Sequence, residues 1–233
     1  MTFREIINQV LIRLREDTIP TNWSGDMNDS VSLSDYHKTI GALVNDSKRY
    51  VESHHDWLSL RESFTISTVP GTMQYILGDT STGAGTGFKV LDVINQNTGR
   101  HLDQANNQWL NSQVFPTAPS GSPTHYAFNG SSVVVEGREA DVNVDLFPVP
   151  ISDEDVTFNI VRQQDELKGA TDTLMLPALQ AVILGAWARA ISERGEDGGT
   201  QSSLVAQEAS ESMNQAIMVD NGNTEYEGDW YVG

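Results

Sequence analysis

His55-Asp56-Trp57-Leu58-Ser59-Leu60-Arg61-Glu62-Ser63-Phe64-Thr65-Ile66-Ser67-Thr68-Val69-Pro70-Gly71-Thr72-Met73-Gln74-Tyr75-Ile76-Leu77 is where the spacing of the apolar residues changes. Upstream, Tyr36, Ile40, Leu43, Val44, Tyr50, Val51, Trp57 and Leu58 form one stripe at helical spacing. They predict a helix that begins at Ser32 or Ser34 and runs for about six turns. Downstream the period is two. Phe64 and Ile66 alternate with Thr65 and Ser67, Pro70-Gly71 supplies a tight turn, and Met73, Tyr75 and Leu77 alternate again, a pattern that predicts a β-hairpin. The chain therefore passes at about residue 60 from helix to antiparallel sheet.

Toward the N-terminus, Thr2-Phe3-Arg4-Glu5 fits a capping box, and Phe3, Ile6, Ile7, Val10, Leu11 and Leu14 follow at helical spacing, so a first helix to about Arg15 is expected. Residues 17–31 are polar, hold Pro20 and Gly25, and read as a loop. Past the hairpin, residues 88–95 read as a strand, turned by Asn97-Thr98-Gly99, and Asp103 is a plausible N-cap for a short helix through Trp109, Leu110 and Val114. Asn129-Gly130, flanked by residues 124–128 and 132–136, is the strongest short hairpin signal, because both turn positions need positive φ. Two more alternating strands run through Val142, Val144 and Leu146 and through Val156, Phe158 and Ile160.

Helical spacing returns at Pro177, a good first helical residue, and a helix to Gly195 is followed by one over residues 202–219. The fold class expected is α+β. Terminal helices form a bundle, residues 1–60 with 172–219, around an inserted antiparallel β-sandwich or open barrel at residues 61–171 that carries a short helix. Residues 220–233 make an acidic, turn-rich C-terminal tail, since Asp220-Asn221-Gly222-Asn223 continues a helix poorly.

The 233 residues hold 14 Lys and Arg against 32 Asp and Glu, a formal net charge of −18. Affinity for phosphates comes from cations that release counterions, so this balance argues against a sequence-reading nucleic-acid binder and against an anionic membrane surface as partner. Hydrophobic residues at 38% suffice for a core. Cysteine is absent, which removes disulfides, thiolate metal sites and cysteine nucleophiles and is compatible with a reducing cytoplasm. The longest apolar stretch, residues 174–191, is broken by Pro177 and Gln180 and carries Arg189, so no membrane span or export signal is expected.

No motif for chemistry stands out, and neither catalytic residues, metal ligands nor a cofactor are assigned. Gly83-Ala84-Gly85-Thr86-Gly87 has the wrong register for a dinucleotide fingerprint and no following Lys-Ser or Lys-Thr. The calcium-like Asp79-Thr80-Ser81 has Val90 where the terminal glutamate would stand. His54, His55 and Asp56 are neighbours that point about 100° apart on a helix, which suits a polar helix end better than a metal site. Asp153-Glu154-Asp155 reads as a solvated turn, and Trp57, Trp109 and Trp187 read as core. Trp230, Tyr231 and Val232 differ. An aromatic pair in a polar tail has no helix face to bury and is the candidate partner-binding site, the plain alternative being a frayed end.

In their order, three stretches resemble the head-to-tail adaptor (neck, or connector) proteins of short-tailed bacteriophages. The first is His55-Asp56-Trp57-Leu58 running into Phe64-Thr65-Ile66 and Pro70-Gly71-Thr72-Met73-Gln74-Tyr75. The second is Gly121-Ser122-Pro123-Thr124-His125-Tyr126-Ala127-Phe128 followed by Leu146-Phe147-Pro148-Val149-Pro150. The third is Leu176-Pro177 with Gly185-Ala186-Trp187-Ala188-Arg189. The resemblance covers most of residues 1–219. It implies a structural virion protein of the phage neck, assembled in the host cytoplasm, in a ring of about twelve copies between the portal and the tail nozzle or tube. Genomic DNA would pass through the channel without specific binding. It also implies a tail laid against the portal or a neighbouring copy. The competing expectation is a virion-associated peptidoglycan-cleaving glycosidase with an acidic pair in the β region, because a chain with so many carboxylates always offers pairs.

Overall fold

The Thr2 hydroxyl accepts a hydrogen bond from Glu5 N while the Glu5 carboxylate accepts one from Thr2 N at 2.8 Å. Both halves of the capping box are thus present, and helix α1 (Phe3–Arg13) follows, burying Phe3, Ile6, Ile7, Val10 and Leu11. The structure, a computed structural model, describes residues 1–28, 33–77, 87–115, 117–132, 140–195 and 199–224. Residues 78–86, which hold Asp79-Thr80-Ser81 and all but the last residue of Gly83-Ala84-Gly85-Thr86-Gly87, lie outside them.

Ser34 caps α2 (Asp35–Glu52), accepting from His37 N. This helix stops at Glu52, short of the six turns that the apolar stripe predicts. Trp57 is turned inward instead, fully buried, with its indole N–H donating to Val51 O at 3.0 Å, and a single 3-10 turn at Leu58–Leu60 follows. The late members of the stripe belong to a hook that folds back on the helix end.

The chain divides into two units, residues 1–60 with 163–233 and residues 61–162. In the helical unit, α4 (Leu179–Arg194) packs against α1, α2 and α5 (Thr200–Thr224). It is apolar on most sides, as a central bundle helix must be. Gly195, at φ +65°, closes it in the left-handed conformation open to glycine. Pro177 lies ahead of the N-cap Ala178 rather than inside the first turn. Helix α5 continues through 220–224, beyond the predicted stop at Val219. Asp220 is buried there and its carboxylate accepts from His55 Nε2 at 2.9 Å and from Leu58 N at 3.1 Å. These tertiary bonds outweigh the weak helix propensity of Asp, Asn and Gly.

The β unit is two four-stranded sheets. One has the order β1 (Arg61–Ser67), β8 (Asp155–Arg162), β3 (Phe88–Asn95), β4 (Arg100–His101). The other has the order β2 (Gln74–Ile76), β7 (Asp141–Phe147), β6 (His125–Ser132), β5 (Asp103–Gln104). Val93, Val156, Phe158 and Ile160 of the first sheet share a core with Tyr126, Val144 and Leu146 of the second. The fold is α+β with the sandwich form of the expected β region. Between these strands the pairings are antiparallel except β5 with β6.

Three local expectations are corrected. Residues 64–77 are not a hairpin, because β1 pairs with β8 from Arg61↔Val161 to Ser67↔Asp155 while β2 pairs with β7. The turn at Pro70-Gly71, with Gly71 at φ +82°, carries the chain from one sheet to the other, and its amides bond outward: Gly71 N to Pro150 O at 2.8 Å and Thr68 N to Glu154 O at 2.8 Å. Asn129-Gly130 is not a hairpin turn either. Strand β6 runs straight through it, and the ladder to β7 slips between Phe128 and Ser131 with Gly130 at φ +79°. The positive φ is real, but it serves a bulge. Asp103 is no N-cap. It lies in β5, and Asn106 caps α3 (Asn107–Val114) by accepting from Trp109 N at 2.7 Å.

Candidate contact surface

Trp230, Tyr231 and Val232 lie outside the described residues. What the structure does show is how each unit is braced internally and which apolar side chains it leaves outward.

At one end of the sandwich a single carboxylate ties several loops together. Glu154, expected to be solvated, is buried. Its carboxylate accepts from Asn95 Nδ2, from Ser122 Oγ at 2.7 Å and from Ser152 Oγ at 2.9 Å, while its amide donates to Thr68 Oγ1 at 2.8 Å. Burial pushes the carboxyl pKa up, but the three donors outweigh it and hold the group below the usual carboxylate range. A carboxylate so engaged stays ionised, which is the reverse of the raised pKa a general acid needs for glycoside cleavage. Its work is to hold these loops in one arrangement. Val69 and Ile151, on two of them, stand outward, more than half exposed.

In the helical unit, one face of α2 grips the chain as it returns from the β unit. Asn45 Nδ2 donates to Leu167 O and Asn45 Oδ1 accepts from Leu167 N, both at 3.0 Å, as a strand neighbour would. One turn on, the Lys48 ammonium reaches Gln164 O, and Glu52 accepts from Gln164 N at 3.3 Å. The Lys48–Glu52 ion pair is shut off from solvent, and burial drives the lysine pKa down and the glutamate pKa up. Both Glu52 oxygens are occupied, so its raised pKa does not make it an available acid.

The histidines diverge. His54 stacks on Tyr50 with ring centroids 4.2 Å apart, while His55 turns to Asp220. Among the described residues no group of three or more His, Asp or Glu converges in a way that could hold a metal. Trp57 is core as expected, and Trp187 is half-buried. Trp109 is not core. It is 36% exposed and stacked on His125 at 4.7 Å, with Phe147 at 5.5 Å, and Phe115 nearby in sequence is 81% exposed. On α5, Leu204, Met218 and Val219 are turned outward.

The described residues thus present a braced surface, with the carboxylates of Glu52 and Glu154 both engaged in internal hydrogen bonds. The family model for SU10 adaptor protein matches residues 1–229, both units included. The chain belongs to the SU10 adaptor protein family. No curated protein matches it. Membership makes it a structural adaptor protein of a bacteriophage, and the SU10 adaptor family implies association with portal and tail components and a place at the virion neck. Among the described residues no helix is long and apolar enough to cross a membrane.

The bracing residues escape sequence reading. Glu154 sits in an acidic run, and its burial follows from Asn95 and Ser122, which are distant in sequence. Asn45, Lys48 and Glu52 did leave a signal. They occupy one helix face between apolar residues, where a polar stripe asks for a buried partner.

Proposed function

We propose that the chain is one subunit of a closed ring of about twelve copies seated between the portal and the tail nozzle or tube, around the channel that the genome crosses. The observation that carries this reading is the adaptor family match over residues 1–229, spanning the helical and the β unit alike. The net charge of −18 fits a channel wall that repels DNA and lets it slide. The same charge makes free copies repel one another, so the chain is mainly monomeric until the portal templates the ring. The outward apolar residues of α5 and of the Glu154 loops supply contact area, and Trp230, Tyr231 and Val232 anchor the assembly to its partner.

The test mixes the purified chain with the portal of the same particle and images the product while mass photometry counts copies. The expected result is a ring on the portal and monomers without it. Stable rings of the chain alone, or no attachment to the portal, would overturn the reading. Gel shifts with duplex DNA at about 150 mM salt should show no binding, since basic contacts are what sustain affinity there.

A further inference from the structure

Residues 104–135 contain no Asp, Glu, Lys or Arg, although charged residues make up 20% of the chain. Helix α3 lies in this stretch and covers the outer face of its sheet. Leu110 and Val114 pack with Ala127 and Phe147, whose chain neighbours Tyr126 and Leu146 point the other way, into the sandwich core. The solvent side of the helix carries Gln108, Asn111 and Ser112, all exposed, where a surface helix ordinarily bears charge. Beside them Trp109 keeps one side open, and Phe115 at the helix end is 81% exposed. The acid of the sheet beneath is withdrawn, since Asp145 is buried and accepts from Asn129 Nδ2 at 2.8 Å. Exposed aromatics without charge are the composition of an interface centre.

The other outer face of the sandwich is balanced as well. Phe64, Ile66, Val156, Phe158 and Ile160 belong to the core, so Ser63, Thr65 and Ser67 of β1 and their partners on β8 point away from it. They are tied rung by rung. Ser63 Oγ donates to Asn159 Oδ1 at 2.6 Å, the Thr65 and Thr157 hydroxyls bond at 2.9 Å, and Ser67 Oγ donates to Asp155 Oδ1 at 2.7 Å. The charged residues at outward positions of β1, β8 and β3 are Arg61, Lys89, Asp92 and Asp155, two of each sign.

Two chains of net charge −18 can touch only where the facing surfaces add no like charge, because such juxtaposition is costly. The two outer faces of the sandwich meet this condition, and they belong to different sheets on opposite sides of one core. We infer that the α3 face of one copy packs on the outer β1–β8–β3 face of a second copy, with Trp109 and Phe115 as its aromatic anchors. A second copy is favoured over the portal or the tail because one chain then supplies both faces, whereas a different partner would call for only one of them. A contact between two unlike faces is heterologous and closes into a ring when the rotation per copy permits. The inference rests on the ring reading above and names the surfaces that join one copy to the next.

The absence of cysteine makes the test direct. Asn111→Cys on α3 and Thr65→Cys on β1, both exposed in the single chain, are each labelled with a maleimide-linked benzophenone. Labelled chains are mixed with isotope-marked parent chains, irradiated both on the portal and free at high concentration, and the links are mapped by mass spectrometry. Melting curves establish that each variant folds. The probe at position 111 should link chiefly to residues 61–67 or 155–162 of another copy, and the probe at position 65 to residues 107–115. Phe115→Ser changes a side chain that packs little within the chain, so it should leave the melting temperature unchanged while lowering these inter-copy links severalfold. Links from position 111 chiefly to α3 of another copy would mean a two-fold pairing, and links chiefly to the portal would assign the face to that partner. Either result overturns the inference, as does a lack of links between copies. Copies counted on the portal in the same samples report on the ring itself. A ring without these links sinks the inference alone, and these links among free copies without a portal ring sink the ring reading alone.

Discussion

Lys48 donates from its ammonium to both carboxylate oxygens of Glu52, one turn along α2, at 3.1 Å, and the two side chains are 1% and 0% exposed. Such a pair is poor evidence of net stabilisation, because desolvating two ions offsets most of their attraction. Its value here is positional. The shared partner is Gln164, so the pair fixes where the returning chain meets α2.

Removing one partner strands the other charge. Lys48→Met or Glu52→Leu alone should cost about 3–5 kcal/mol, whereas the double variant should cost far less than the sum. Denaturant unfolding followed by helix circular dichroism measures all three, and additive costs would show that the ions do not act as a pair.

Glu154 has the opposite electrostatic sign. Its folded pKa lies below its unfolded one, so its contribution is fully present above the ordinary carboxyl range, about pH 4.3, and is lost as pH falls through the folded pKa. The melting temperature of Glu154→Gln should therefore fall furthest below that of the parent at neutral pH, and the gap should narrow on acidification. A gap independent of pH would show that the loops are held by shape alone.

At the crossing of α2 and α4, Gly185→Ala drives a methyl against Ser47 Oγ and should destabilise by about 1–3 kcal/mol. Ser47→Ala removes the obstructing atom, which lacks a partner in any case. The double variant should melt close to the parent. If it melts like Gly185→Ala, backbone rather than the hydroxyl sets the spacing.

Asp220 ties the far end of α5 to His55 and to the amide of Leu58. Asp220→Ala should cost about 1–3 kcal/mol by leaving buried donors unmet. Hydrogen exchange should report faster opening in the last turns of α5 and at Leu58, with α1 unchanged. Truncation after Thr224, by contrast, spares Asp220 and should leave the melting temperature near that of the parent while weakening attachment to the portal.

Where a residue's environment is set by its near neighbours, the sequence was readable. Thr2 with Glu5 and Gly195 after α4 are local arrangements that the structure has as expected, and of the two starts open to α2, Ser32 or Ser34, the helix takes Ser34 as its cap. Strand β3 lies at its expected residues for the same reason, since its pattern needs no partner to be seen. Pairing is another matter. The residues around Pro70-Gly71 and Asn129-Gly130 have sound turn chemistry, but the strand that each segment meets is chosen by long-range burial, and β8 and β7 compete successfully for β1 and β2. Trp109 misled for a related reason, because its ring lies against His125 and the buried Phe147 while one side stays open to solvent. The braces were legible only in part, because each depends on residues such as Asn45 and Leu167, which are far apart in the chain.

The β unit opens at Arg61 and closes at Arg162, and Arg61 faces Val161 across one rung of the β1–β8 ladder. Its two ends therefore stand about 5 Å apart, the spacing of neighbouring strands. A segment with adjoining ends behaves as a cassette. It can be exchanged for another of like ends, lengthened or redecorated on its loops without altering the path of the host helices. Exchange of this segment would leave the sequence of the helical unit untouched, so the two units are free to change at different rates.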